Sequence, residues 1–153
     1  MAGLVAQLVN GWKAMRNPKL AEDYIRRAHV RLKVLDALYE AGSWADVVRE
    51  SQELVELALK GLLRMAGIDA PRIHDVSQIL LDNRELIPDS VRPHVEKLAE
   101  YSRCLRRDRE LAFDGSEDLT PMDFYRETDA RQARAMAQET IGVIIPLLGK
   151  QPS

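Results

Sequence analysis

Apolar residues recur at three- and four-residue steps along almost the whole of this chain. No segment alternates apolar with polar residues over a useful length between turn signals. That periodicity matches the 3.6-residue turn of an α-helix rather than the two-residue repeat of a strand. The expected fold class is therefore all-α. Composition agrees: 46% of the residues are hydrophobic but only 5% are aromatic, so Leu, Ala, Ile and Val must supply most of the core. Side chains of that kind favour helices packed on helices.

Turn and cap residues divide the pattern into segments. A short helix is expected from Leu4 to Met15. Asn17-Pro18 reads as an N-cap followed by proline at the first helical position. Leu20, Tyr24, Ala28, Leu32, Leu35 and Leu38 then form one apolar stripe, which Gly42 ends. Ser43, with Asp46 three residues on, opens a helix that runs to about Ala66 with the stripe Trp44, Val48, Ser51, Val55, Leu59 and Leu62. Asp75 can cap a short helix from Val76 to Asn83. Pro88-Asp89-Ser90 opens a long helix that reaches Phe113 and stops at Asp114-Gly115. Thr120-Pro121 starts a short turn, and Thr128 or Asp129 can cap a last helix to Leu148, bent near its end by Pro146. The result is an up-and-down bundle of four long helices plus one or two short helices, in a single domain over residues 1–153 with its core at about 12–148.

The chain carries 22 Lys and Arg against 24 Asp and Glu, a formal charge of -2. A strongly basic nucleic-acid binder is disfavoured, although a local basic patch remains open. The lone cysteine, Cys104, excludes an intramolecular disulfide framework and a multi-cysteine metal site, and it suits a reducing compartment. The apolar run Ile141 to Leu148 is far short of the roughly 20 residues that span a bilayer. A cytoplasmic protein with no membrane association is expected. The three histidines, His29, His74 and His94, show no helical metal-ligand spacing, and neither a GxSxG motif nor a Gly-rich phosphate loop is present. No metal or cofactor is expected. His74-Asp75 resembles one dyad of the HD phosphohydrolases, but Asp75 as a helix cap explains it more simply.

The segment YSRCLRRDRELAFDG, Tyr101 to Gly115, is the most informative. Arg103, Arg106, Arg107 and Arg109 lie close together in it, yet on a helical wheel they do not share a face. Val91, Val95, Leu98, Leu105 and Ala112 make the apolar stripe. Arg109 lies in its middle, Arg106 at its margin, and Arg103 and Arg107 point to solvent. An arginine in an apolar stripe needs a partner. Two readings stay open: a structural ion pair or a snorkelling side chain, or a phosphate site suited to the guanidinium fork. Gln52 falls inside the apolar arc of its own helix and Glu56 on the edge. Lys60 follows Glu56 at i+4, in the favourable order for a pair. Glu56 is also a candidate partner for Arg109. Cys104 sits beside the arginines, off the centre of the stripe, where a partly buried packing cysteine is the simplest reading.

These residues resemble a known family. ESQELVELALKGLLRMAGI is similar to the signature helix of HEPN domains (higher eukaryotes and prokaryotes nucleotide-binding) through Gln52, Glu56 and Lys60. His74-Asp75 before a Leu-rich helix matches the next landmark. LRRDRELAFDG and LTPMDFYRETDARQARAMA resemble the stretch leading into the last helix, with Pro121, Tyr125 and Ala130 at matching positions. The resemblance covers about Trp12 to Leu148. It implies an all-α bundle of four or five helices, commonly a homodimer. Ala130, Ala133, Ala135 and Ala137 on the last helix would permit the close approach that a dimer needs.

Many members are encoded beside a small nucleotidyltransferase, often as toxin–antitoxin pairs, and others are metal-independent ribonucleases. The ribonuclease branch uses an Arg followed four to six residues later by a His. In this chain the last histidine is His94, and the window after Arg109 holds Phe113 and Asp114 instead. Asp114 cannot offer the same acid–base chemistry at neutral pH without a large pKa shift. The resemblance therefore implies a module that binds a nucleotide or RNA phosphate, or a nucleotidyltransferase partner, rather than an enzyme. Arg106 and Arg109 would hold the ligand, with Glu56, Lys60, Tyr125 and Asp114 around it. The alternatives are a ribonuclease with an altered site and a purely structural interaction module.

Overall fold

The computed structural model describes residues 18–69, 75–114 and 120–150; within these, the side chains at 18, 108–114, 121, 122 and 150 fall outside the description. The helices are α1 (Pro18–Glu40), α2 (Trp44–Met65), α3 (Val76–Asp82), α4 (Val95–Asp114), α5 (Pro121–Phe124) and α6 (Glu127–Ile144). Short 3-10 turns occupy Arg84–Leu86, Arg92–His94 and Ile145–Lys150. No strand occurs among the described residues, so the all-α class read from the periodicity holds. The expected helix from Leu4 to Met15 lies outside the described residues.

Helix α2 is the central element. It packs against α1, α6 and α4, while α3 packs on α4. Twelve of its 22 residues are buried, including Leu54, Leu59, Leu62 and Leu63. Full burial of each such side chain is worth about 1.5–3 kcal/mol. The buried line of α1 runs through Ala21, Ile25, Ala28 and Leu35, while Leu20, Tyr24 and Leu32 lie half-buried at its edge. The buried line is thus turned by about 45° from the stripe read in the sequence, with Ala28 and Leu35 common to both, because Ile25 and Ala21 meet a glycine. A Cβ at Gly61 would stand 2.7 Å from Ile25 Cγ1 and 3.1 Å from the Ala21 carbonyl oxygen. Only a residue without a side chain lets α1 and α2 approach this closely.

Chain direction follows from the contacts. Gly61 meets Ile25, and Glu50 and Glu53 meet Arg31, so α1 and α2 run antiparallel. Gly42, at φ +72°, closes the turn between them. Asp36 reaches Arg134 and Tyr39 reaches Glu127, so α1 and α6 are antiparallel as well. Arg134 also lies 3.7 Å from the Tyr39 ring centroid, which clamps the α1–α2 turn onto α6.

Three termini differ from their sequence signals. Ser43 caps nothing through its side chain; its hydroxyl donates to Asp46 Oδ2 at 2.6 Å instead. The segment from Pro88 becomes α-helical only at Val95, because Pro93 lies in the 3-10 turn that precedes it. The last helix opens at Glu127, with the Asp129 carboxylate accepting from the Arg126 N–H, and gives way to a 3-10 turn around Pro146. Thr120 forms the expected start, with Asp123 completing a reciprocal cap.

Candidate functional site

Arg106 emerges from the α4 face that packs against α3, at the margin of the buried line Val95, Leu98, Ser102 and Leu105. Its Nη1 lies 3.0 Å from Oδ1 of Asp75, the residue that caps α3. The same carboxylate oxygen accepts from the Ser77 backbone N–H at 2.9 Å and from the Ser77 hydroxyl. Partial burial alone would raise the Asp75 pKa. The two hydrogen bonds from Ser77 and the Arg106 guanidinium outweigh it and hold the carboxyl below its ordinary value. A fixed carboxylate thus orients an arginine that remains a third exposed. Its fork keeps N–H donors beyond the one aimed at Asp75.

Arg103 and Arg107 are exposed on the same helix, as the wheel indicated. Arg103 pairs with Glu100 at 3.0 Å, and Arg107 Nη2 approaches the Cys104 sulfur at 3.9 Å. Arg109 and Asp114 belong to α4, and the contacts expected of their side chains, including the pair between Arg109 and Glu56, lie outside the described residues. So does His74.

Glu56 and Lys60 sit on α2 and pair with each other at 3.4 Å, the i,i+4 bridge read from the sequence. Gln52, buried at 4% exposure, donates to Glu56 Oε2 at 2.6 Å. Glu56 and Lys60 line a cavity of about 230 Å³ between α1 and α2, together with Arg27, Arg31, Glu53 and Leu57. Arg31 bridges Glu50 and Glu53 at 3.3 and 3.2 Å. Burial and the neighbouring Glu53 charge raise the Glu50 pKa despite that bridge. Tyr125 follows α5 into the core and is buried, its ring 5.4 Å from that of Phe124. Among the described residues, Arg106 is thus not joined to Glu56, Lys60 or Tyr125 by a hydrogen bond or ion pair. Arg106 belongs to the α3–α4 contact, and Glu56 with Lys60 to the α1–α2 cavity.

Two groupings escaped the sequence. Asp75 was legible as a cap but not as the partner of Arg106, 31 positions away. Likewise, Glu139 on α6 accepts from Lys97 and from the Tyr101 hydroxyl on α4. Burial and the hydrogen bond to Glu139 raise the Tyr101 pKa, while Lys97 and Tyr101 lower that of Glu139. Only the i,i+4 spacing of Lys97 and Tyr101 signalled a shared face.

No group of three or more side chains suited to a metal occurs among the described residues, and no described helix is long and apolar enough to cross a membrane. No curated protein and no solved structure matches the chain. A family model described as HEPN domain matches residues 21–145, which take in nearly all of α1 and every helix after it, and the chain belongs to that family.

Proposed function

We propose that this HEPN protein binds a nucleotide or RNA phosphate at the arginine-bearing segment of α4, with Arg106 as the principal contact and Arg109 as its neighbour on the same helix. The observation that carries this reading is the Arg106–Asp75 pair. It fixes one guanidinium N–H at 3.0 Å on a carboxylate and leaves the fork partly exposed. An oriented arginine loses less conformational freedom when a phosphate arrives, and it can meet the anion in bidentate fashion. Arg103 and Arg107 add positive potential nearby in a chain whose overall charge is -2. That balance suits a small phosphorylated ligand or a short RNA end better than long nucleic acid.

The protein would act as a cytoplasmic homodimer that binds rather than cleaves, paired with a nucleotidyltransferase-family partner in a toxin–antitoxin arrangement. The histidine that the ribonuclease branch requires after its arginine is missing, since His94 is the last in the chain. Fluorescence anisotropy with a short 5′-phosphorylated RNA tests both points. Binding that weakens in Arg106→Ala, with the RNA recovered intact, is the expected result. Cleavage by purified protein that disappears in Arg109→Ala would favour the ribonuclease instead.

A further inference from the structure

The outward face of α1 is predominantly basic. Taking Val30 as the centre of a wheel at 100° per residue, Lys19, Arg26, Arg27 and Lys33 fall within about 60° of it, against the single carboxylate Asp23. All five are exposed. Between them stand Val30 and Val34, 62% and 47% exposed, one helical turn apart. They are two of only four large apolar side chains exposed among the described residues. On one flank Arg27 turns into the α1–α2 cavity of about 230 Å³, which Arg31 and Lys60 also line. The carboxylates there are already engaged, Glu53 by Arg31 and Glu56 by Lys60. Arg27 has only Asp23 on its own helix, at 3.5 Å with both side chains more than half exposed. A pair of that kind is worth little and exchanges readily.

We propose that this face docks an acidic amphipathic helix of another protein. Its apolar residues would cover Val30 and Val34, and its flanking carboxylates would meet Arg26, Arg27 and Lys33. A carboxylate side chain inserted beside Arg27 would occupy the cavity, which is smaller than a cofactor-sized site. The charge pattern decides between occupants. A second copy of this chain, related by a two-fold axis across the face, would set basic residues against basic residues. The chain's own residues 1–17 contribute Lys13 and Arg16 and no acidic side chain, so they repel the face as well. Nucleic acid would satisfy the cations but would leave the valines uncovered, and the described part of this face has no aromatic platform for bases. An acidic amphipathic helix satisfies both features. The inference does not depend on phosphate binding at Arg106.

The test uses three labelled probes against the full chain: an 18-residue peptide with Leu at i, i+4 and i+7 and Glu on the flanks, a Glu-rich peptide of equal charge without Leu, and a single-stranded RNA of similar charge. The expected result is that the Leu-bearing peptide binds best. Its affinity should fall about tenfold in Val30→Ser and in the double variant Arg27→Glu, Lys33→Glu, and should weaken with salt. Nucleotide affinity should be unchanged in Val30→Ser, which separates this face from the α4 segment. Equal binding of the two peptides, preferred binding of RNA, or peptide affinity unaltered in both variants would overturn the proposal. Circular dichroism of each variant checks that the fold persists, as expected for substitutions at exposed positions.

Discussion

Arg106 of α4 and Asp75 at the head of α3 meet at 3.0 Å through a single carboxylate oxygen that also caps α3. One acidic side chain thereby starts a helix and aims an arginine on its neighbour. Substituting Asp75→Asn should keep much of the cap and weaken the aim, whereas Asp75→Ala loses both. Urea unfolding should show Asp75→Ala less stable by about 1 kcal/mol, most of it from the cap, since the ion pair itself is screened by solvent. The folded carboxyl titrates below its unfolded value. Its contribution is therefore complete above the unfolded pKa of about 4 and is lost as pH falls through the folded value. The stability difference between wild type and Asp75→Asn should be present at neutral pH and fade at the acid end. A difference that stayed constant down to strongly acid pH would show that ionisation of Asp75 does not matter.

Gly61 and Ile25 set the distance between α1 and α2. A methyl group at Gly61 has to displace Ile25 Cγ1, which stands 2.7 Å from its place, and it also meets the Ala21 carbonyl at 3.1 Å, which is backbone and yields less easily. Gly61→Ala should cost about 1–3 kcal/mol, despite the better helix propensity of alanine. A thermal melt at or above the wild-type midpoint would mean that the helices are not packed this tightly.

Much of this arrangement was legible in the chain. The stripes of α2 and α4 fall on Val48, Val55, Leu59 and Leu62, and on Val95, Leu98 and Leu105, all buried as expected. Gln52 and Glu56 sit inside and at the edge of the α2 arc as the wheel placed them. What escaped is non-local. Periodicity could not distinguish Ile25 from Tyr24 as the deeper residue of α1, because the choice is made by Gly61, 36 positions on. A wheel drawn for one helix likewise cannot show that Asp75 faces Arg106, or that Glu139 faces Tyr101. The family resemblance ordered the motifs along the chain, but it did not say that Glu56 with Lys60 and Arg106 would lie in separate contacts.

Ser51 offers a third check. Its hydroxyl is fully buried and finds no partner among the described residues. An unsatisfied buried hydroxyl costs stability, so Ser51→Ala should be neutral or more stable by about 1 kcal/mol in chemical denaturation. A loss of more than about 1 kcal/mol would show that the hydroxyl is engaged after all.

Tyr101 links α4 to α6 through Glu139, and its phenol titrates above the ordinary tyrosine value because of burial and that hydrogen bond. The neutral phenol is the form that the fold favours. Its stabilising effect is therefore present below the unfolded pKa and is lost as pH rises through the folded one. An ultraviolet titration should contain a late tyrosine phase that vanishes in Tyr101→Phe, and that variant should be less stable by about 0.5–1.5 kcal/mol at neutral pH. A late phase that persisted in the variant would assign the shift to another tyrosine.

The proposed function places a bound phosphate at Arg106. Isothermal titration of a nucleoside monophosphate and of its unphosphorylated nucleoside into wild type and Arg106→Ala tests it most directly, with Val30→Ser on α1 as the control. Binding that requires the phosphate, is lost by about tenfold or more in Arg106→Ala, and is unchanged in Val30→Ser is the predicted result. Absence of heat at millimolar nucleotide, or equal affinity in wild type and Arg106→Ala, would contradict it.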